Sequence, residues 1–219
     1  MIKLIIFDLW RTLIPATIDF SHLFSLINKS DFSREEFIEK YEQSVQVKKY
    51  SSISKLKKDF FIAFNGIDKD ILEKNFYEIY LNRIDKINFF PDVEKNLVKL
   101  KKDYFLALLS NTESLPAKNI EKQLNLKNYF DFLGYSFELK HLKPEKEAFE
   151  FVLKKFKVNP SETVMVGDSL RADILGAKNV GIHTILINRD NIILDNANEK
   201  PDFEIKSFNE LEKVLGELK

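Results

Sequence analysis

The N-terminal segment constrains the fold more than any other part of the sequence. A mainly apolar run from Ile2 to Phe7 ends at the carboxylate of Asp8. A run of this kind beside a charged residue is typical of a buried central strand in a parallel sheet. Because open α/β sheets bind ligands beyond the carboxyl ends of their strands, Asp8 is predicted to lie at a functional site.

From residue 90 onward, strand and helix patterns alternate. The predicted strands cover residues 104–109, 133–136, 163–166, 182–187 and 203–205. The predicted helices cover residues 93–100, 115–124, 170–178 and a segment from 209, and another helix opens at Pro144 and runs through Leu153. This alternation predicts an α/β fold with a doubly wound, Rossmann-like parallel sheet and right-handed crossovers.

Residues 14–89 carry a different pattern, with helical segments and no convincing strand. A capping box spans Ser33–Glu36, and further helices are predicted at residues 54–64 and 71–80. We therefore expect two domains, an α/β core of residues 1–13 and 90–219 and an all-helical cap of residues 14–89. The cap interrupts the core just after the first strand, so we expect it to lie above the strand ends, with its phenylalanines forming a small core of their own.

Charge and cysteine content exclude several classes of partner and chemistry. Lys and Arg number 34, as do Asp and Glu, so the formal net charge is zero and nothing favours nucleic acid or an anionic membrane. The absence of cysteine excludes disulfides, thiolate catalysis and thiolate-bound zinc. No apolar run approaches the ~20 residues of a membrane span, and no signal-peptide pattern follows Met1, so we expect a cytoplasmic protein.

Polar residues stand just beyond several of the predicted strands, or before a helix on the same side of the sheet. Each of them alone would suit a turn or a solvated surface. Together they could supply a nucleophile, donors to an oxyanion, a fixed cation and carboxylates for a divalent metal. The set consists of Asp8, Ser110, Asn111, Lys143, Asp168 and Asp173.

The order of these residues resembles the haloacid dehalogenase-like (HAD) hydrolase superfamily. Four motifs carry the resemblance, and they run in order through nearly the whole chain: Asp8-Leu9-Trp10-Arg11-Thr12, Ser110 at a strand end, Lys143 before a helix, and Gly167-Asp168 with the later Asp173. The position of the insert also resembles the helical cap of that family. The resemblance implies a phosphatase-like hydrolase that acts on a small phosphorylated metabolite.

In this resemblance Asp8 is the nucleophile, which forms an acyl phosphate. Ser110, Asn111 and Lys143 bind the phosphate, and Ser110 donates to the transferring phosphoryl oxygens. Ser110 and Lys143 therefore join Asp8 as candidate catalytic residues.

Charge explains why such a site needs a metal. At 4 Å and an effective dielectric constant of ~20, a phosphate dianion meets on the order of 8 kcal/mol of repulsion from a carboxylate. Mg²⁺ held by Asp8 and Asp168, with help from Lys143, would cancel this repulsion. The resemblance adds the backbone carbonyl of Trp10 as a ligand, and Asp173 as a ligand that acts directly or through water.

Two positions depart from the family pattern. Trp10 stands where phosphatases of this kind carry an aspartate that protonates the leaving group and activates water, and an indole can do neither. General acid–base help is worth ~10²–10⁴-fold in rate. Arg11 stands where a small residue is usual. Its side chain could reach the phosphate, but we expect it to face solvent or contact the cap.

Three functions fit these departures. A metal-dependent phosphatase could use a good leaving group, or take the proton from another group or from water. A 2-haloacid dehalogenase needs no acid, since halide leaves without a proton, and an aromatic residue is known at the position of Trp10 in such enzymes. A binding protein without turnover is the third. Asp168 and Asp173 would repel an anionic haloacid, which favours the phosphatase.

The segment from Gly167 to Leu170 also spells the Gly-Asp-Ser-Leu motif of a serine esterase family. In that family the motif lies near the N-terminus and is followed by a histidine that has an aspartate three residues before it. Here the one such pair, Asp19 and His22, comes before the motif, and the motif itself lies far from the N-terminus. Ser169 is therefore predicted to cap a helix.

Overall fold

The computed structural model describes residues 1–16, 33–64, 87–191 and 200–218, together with Phe24, Asp70 and Glu73. The described strands are β1 (Leu4–Phe7), β2 (Phe105–Ser110), β3 (Phe132–Tyr135), β4 (Thr163–Gly167), β5 (His183–Ile187) and β6 (Phe203–Ile205). They form one sheet in the order β3-β2-β1-β4-β5-β6, and each neighbouring pair is parallel. The predicted doubly wound parallel sheet is confirmed.

Helices connect the strands, as the alternation of patterns predicts. They are α1 (Arg34–Tyr41), α2 (Ile53–Ala63), α3 (Val93–Leu100), α4 (Ser114–Gln123), α5 (Leu126–Tyr129), α6 (Ser136–Leu139), α7 (Lys146–Phe156), α8 (Gly176–Lys178) and α9 (Leu211–Glu217). Wider π-helical turns occupy Glu42–Gln46, directly after α1, and Leu170–Leu175, directly before α8. Among the described helices, none has the length and apolar character needed to cross a bilayer.

Apolar layers cover both faces of the sheet. In β1, Ile5 and Phe7 belong to one buried cluster, which includes residues of α3, α4 and α9, whereas Leu4 and Ile6 belong to a second cluster with residues of α7. Successive side chains of a strand point to opposite faces, so a strand covered on both sides is apolar throughout. This double burial explains the continuous apolar run that precedes Asp8.

The segment between β1 and α3 has a buried cluster of its own, formed by Phe37, Tyr41, Val45, Tyr50, Leu56, Phe60 and Phe64. The predicted capping box at Ser33–Glu36 is confirmed, since each side chain accepts a hydrogen bond from the backbone of the other residue. The helix predicted at 71–80 lies outside the described residues. Ile14 and Ile87 pack into the core cluster beside β1. The division into core and cap stays a prediction, which the separate cluster supports.

The helix predicted to open at Pro144 begins later, at Lys146. Pro144 instead lies in a turn, closed by a hydrogen bond of 2.7 Å from the Glu145 amide to the Leu142 carbonyl. Just before this turn, the side chain of Asn111 makes two hydrogen bonds with the backbone of Lys143.

Candidate active site

The candidate site lies around the carboxyl end of β1. We call the edge of the sheet that is formed by the carboxyl ends of its parallel strands the rim. Asp8 follows β1, Ser110 ends β2 and Asp168 follows β4. Since β1 pairs with both β2 and β4, these three residues come from adjacent strands. The order of the strands reverses direction at β1, and such a switch point is where open α/β sheets bind ligands.

Lys143 lies at the centre of this group. Its Nζ is 2.6 Å from Asp8 Oδ1 and 2.6 Å from Asp173 Oδ1, and all three residues are buried. Burial lowers the pKa of Lys143, but the charges of Asp173 and Asp8 outweigh it, so the net pKa is raised and the ammonium stays charged. The buried cation therefore holds two carboxylates side by side.

Burial has the opposite consequence for the acids. It raises the pKa of Asp8 from 3.8 to about 6, although the charge of Lys143 opposes the rise. Burial, with the charges of Asp8 and Asp173, raises the pKa of Asp168 to about 7, against the opposing charge of Arg11. The rim thus binds protons that solvated carboxylates would have lost, and a divalent cation would compete with those protons.

The position of Arg11 agrees with the sequence-based prediction only in part. Its side chain is 47% exposed, as expected of a residue that faces solvent, but its guanidinium also pairs with two carboxylates of the core. Nε donates to Asp168 Oδ2 at 2.8 Å, and Nη2 donates to Asp190. The backbone of Arg11 has a φ of 60°, a left-handed conformation that explains why a small residue is usual there. Arg11 therefore holds one oxygen of a predicted metal ligand.

Gly167 has a steric reason to be glycine. A Cβ at this position would lie 2.2 Å from Asp173 Oδ2, closer than two non-bonded atoms can approach, so only glycine fits here. The same oxygen accepts a hydrogen bond of 3.0 Å from the Ser169 amide, and the Ser169 hydroxyl caps the following π-helical turn by accepting from Ala172. The prediction that Ser169 is a helix cap is confirmed. The Gly-Asp pair with a later aspartate is thus one packed unit.

The carboxylates fit a divalent cation. Asp8, Asp168 and Asp173 each offer an oxygen, and these oxygens all lie within 4.8 Å of one another. The hydrogen bonds already described occupy both oxygens of Asp173, which suits a role through water. Lys143 contacts Oδ1 of Asp8 and Arg11 contacts Oδ2 of Asp168, and Asp8 also accepts a hydrogen bond from the Leu9 backbone. The role of the Trp10 carbonyl stays a prediction.

Ser110 and Asn111 follow the same rim but differ in what they contact. The Ser110 hydroxyl is buried and has no hydrogen-bond partner among the described residues, which suits a group that donates to a bound ligand. Asn111 pairs with the backbone of Lys143 through two hydrogen bonds of 2.9 Å, one in each direction. Its side chain therefore positions Lys143, and its binding of phosphate stays a prediction.

The Trp10 indole is held in place. Its Nε1 donates to the Thr112 hydroxyl at 3.2 Å, and the ring packs against the core cluster. An apolar ring thus occupies the position at which the family pattern has an acid. Sequence reasoning did not identify Thr112, although its closeness to Ser110 was a usable signal.

Sequence reasoning also missed two charged residues that pair with each other beside the rim. Arg171, in the turn after Asp168, donates from Nη2 to Glu42 Oε2 at 2.9 Å. Glu42 accepts a further hydrogen bond of 3.2 Å from Asn111. Burial raises the pKa of Glu42, and the charge of Arg171 opposes the rise. No sequence signal marked Glu42, because it belongs to an ordinary helical pattern.

The burial of Lys143 between two carboxylates leads to a prediction about stability. Lys143→Met leaves Asp8 and Asp173 without their counter-charge, and we expect the free energy of unfolding near neutral pH to fall by about 3–5 kcal/mol. The loss should be smaller near pH 5, because the pKa of Asp8 is raised to about 6 and that acid can take up a proton instead. Urea unfolding without metal measures both values. Lys154→Met is the control, because that ammonium is 79% exposed, and an equal loss in the control would contradict the prediction.

Comparison with curated proteins gives relatives that match part or all of the chain. Glyceraldehyde 3-phosphate phosphatase of Pyrococcus furiosus is 39% identical over 97 residues, which are 43% of this chain and 40% of that protein. The chain thus spans less than half the length of that relative. Glyceraldehyde 3-phosphate phosphatase of Methanopyrus kandleri is 28% identical over 233 residues, covering 100% of this chain and 99% of that protein.

Comparison with solved structures supports the same fold. A 2-haloacid dehalogenase from Pseudomonas syringae pv. Tomato DC3000 superposes with a TM-score of 0.70 and 26% identity, covering 100% of both chains. A HAD phosphatase from Thermococcus onnurineus superposes with a TM-score of 0.66 and 27% identity, covering 98% of both chains. A family model described as haloacid dehalogenase-like hydrolase matches residues 2–181. The chain therefore belongs to the haloacid dehalogenase-like hydrolase family.

Proposed function

We propose that the protein is a Mg²⁺-dependent phosphatase of a small phosphorylated metabolite, with Asp8 as the nucleophile. The observation that carries the proposal is the cluster of three carboxylates at the rim, in which Asp8, Asp168 and Asp173 offer oxygens within 4.8 Å of one another. Such a concentration of negative charge opposes an anionic substrate unless a cation is bound. Relatives named as phosphatases support this choice.

The residues of the rim divide the chemistry between them. A carboxylate oxygen of Asp8 attacks phosphorus, the bond from phosphorus to the ester oxygen breaks, and an acyl phosphate forms on Asp8. Water then attacks the phosphorus of this intermediate, which releases phosphate and restores the carboxylate. Lys143 supplies positive charge beside Asp8, and the Ser110 hydroxyl donates to a phosphoryl oxygen. Mg²⁺, held by Asp8 and Asp168, would neutralise the charge of the phosphate.

The proton for the leaving group comes from water or from another group, because Trp10 offers none. We therefore expect aryl phosphates, whose leaving groups depart as stable anions, to react faster than alkyl phosphates of similar size. The second step meets the same deficit, since no carboxylate at position 10 activates the attacking water.

A 2-haloacid dehalogenase is the second candidate, since Trp10 is aromatic and one structural neighbour is named as such an enzyme. A panel of phosphate esters and 2-haloacids, each with Mg²⁺ or with EDTA, separates the two. Phosphate release that EDTA abolishes supports the phosphatase, and halide release that EDTA leaves unchanged overturns it. If neither product forms while inorganic phosphate still raises the melting temperature, the protein is a binding module.

The metal site makes a prediction that needs no substrate. Asp8 and Asp168 have pKa values of about 6 and about 7, above the ordinary 3.8, so the folded protein binds protons that the unfolded chain has released. Without metal, stability should therefore fall as pH rises through about 6 to 7. Asp168→Asn removes one charge from the cluster and should raise the free energy of unfolding at about pH 8 by about 1–2 kcal/mol.

Thermal unfolding in EDTA and in Mg²⁺ tests this prediction. The wild type should gain stability when Mg²⁺ is added, whereas Asp168→Asn should gain little. Asp103→Asn is the control, because Asp103 is exposed at the opposite end of the sheet, just before β2. Equal gains in the wild type and Asp168→Asn would place the metal elsewhere.

A further inference from the structure

A group of charged residues from the cap segment and the core stands beside the rim, and we call it the charged wall. It consists of Glu39, Glu42 and Arg171. Arg171 donates from Nη1 to Glu39 Oε1 at 3.1 Å and from Nη2 to Glu42 Oε2 at 2.9 Å. One guanidinium of the core is thus neutralised by two carboxylates. Glu39 belongs to α1, and Glu42 begins the π-helical turn that follows α1.

Glu42 connects the charged wall to the phosphate site. Its Oε1 accepts from Asn111, the residue that holds the backbone of Lys143, and the charge of Lys143 opposes the rise that burial causes in the pKa of Glu42. The Glu42 side chain is 14% exposed, whereas that of Glu39 is 47% exposed. Glu42 therefore faces the interior of the site, and Glu39 lies at its outer edge.

Three cations near the rim, among the residues that the structure describes, share one property. Lys143, Arg11 and Arg171 each pair with two carboxylates. A substrate that carried a second anionic group could gain one of these cations only by displacing a carboxylate from it. A leaving group with hydroxyls has no such cost, and a hydroxyl can donate to a carboxylate.

Resting on the proposed phosphatase function, we propose that Glu42 is a specificity-determining residue. It selects phosphate monoesters with uncharged, hydroxyl-bearing leaving groups and rejects those with a carboxylate or a second phosphate. Glu42 acts in two ways, by repelling a second anion and by occupying Arg171, the guanidinium that would otherwise bind that anion. The selection is therefore electrostatic and depends on both members of the pair.

Glycerol 3-phosphate and 3-phosphoglycerate form a matched pair of probes, because they differ at the far carbon in a hydroxymethyl group against a carboxylate. In the wild type with Mg²⁺, kcat/KM should be at least about 10-fold higher for glycerol 3-phosphate. Glu42→Gln should reduce this ratio at least about 10-fold, through a gain on 3-phosphoglycerate. A ratio of two substrates on one protein is unaffected by partial loss of folded material.

Two further variants identify the cause. Glu39→Gln removes the other partner of Arg171 but lies at the outer edge, so the ratio should change by less than about 3-fold. Adding Arg171→Met to Glu42→Gln should reduce the gain on 3-phosphoglycerate, because the released cation is gone and only the loss of repulsion remains. An unchanged ratio in Glu42→Gln, or an equal change in Glu39→Gln, overturns this inference alone. Absence of phosphate release even from p-nitrophenyl phosphate overturns the proposed function and this inference with it.

Discussion

Asp8→Asn is expected to reduce phosphate release by at least about 10⁴-fold, the scale on which loss of a catalytic nucleophile acts. The amide matches the carboxylate in size but cannot attack phosphorus or form an acyl phosphate. Initial rates with p-nitrophenyl phosphate and Mg²⁺ measure the loss. This aryl ester is the right probe because its leaving group needs no proton.

The stability of Asp8→Asn separates chemistry from folding. Asp8 is a buried acid with a raised pKa beside Asp168 and Asp173, so removal of its charge should leave the free energy of unfolding at pH 8 unchanged or higher. Activity and stability should therefore move independently. A variant that keeps more than about one hundredth of the wild-type rate would show that Asp8 is not the nucleophile.

Trp10→Asp is expected to raise the turnover of alkyl phosphates by about 10²–10⁴-fold, because it supplies the acid and base that the indole cannot. The nearby Thr112 hydroxyl, which accepts from the indole in the wild type, could donate to the new carboxylate and hold it in place. Steady-state phosphate release from glycerol 3-phosphate measures the gain.

Trp10→Asn is the matched control for this gain. Asparagine has the size of aspartate but cannot transfer a proton near neutral pH, so it should not exceed the wild-type rate. Equal gains in the two variants would mean that removal of the bulky ring matters, and a fall in both with the fold intact would contradict the assignment of the missing acid. Both substitutions lose the packing of the ring, so melting temperatures should accompany the rates.

Intermediate trapping adds an independent measurement. If the wild type lacks the base for the second step, an acyl phosphate on Asp8 should accumulate during turnover of p-nitrophenyl phosphate and give a burst of nitrophenol. Trp10→Asp should shrink the burst, because water attack becomes faster. A burst of unchanged size in the variant would place the slow step elsewhere.

The sheet and most of the residues at the rim could be predicted from the sequence. A strand buried on both faces must be apolar throughout, so β1 could be recognised from residues 2–7, and the carboxylate that ends it could be placed at the rim. The Ser169 cap and the capping box after Ser33 could be predicted because each joins residues three positions apart. Patterns of this kind involve residues that are close in the sequence, so they can be recognised without a structure.

The tertiary structure decided which charges meet. Arg11 pairs with Asp168 across 157 positions, and Arg171 pairs with Glu42 across 129 positions. Long cationic side chains can reach many carboxylates, and in this chain 34 acids face 34 bases, so no local pattern selects the partner. The crossover connections of the parallel sheet and the placement of the insert determine which carboxylate each of these side chains pairs with. Sequence alone therefore determined the sheet and its row of strand-end residues, whereas the folded chain determined which oxygens those residues offer to a cation and which cations remain for a substrate.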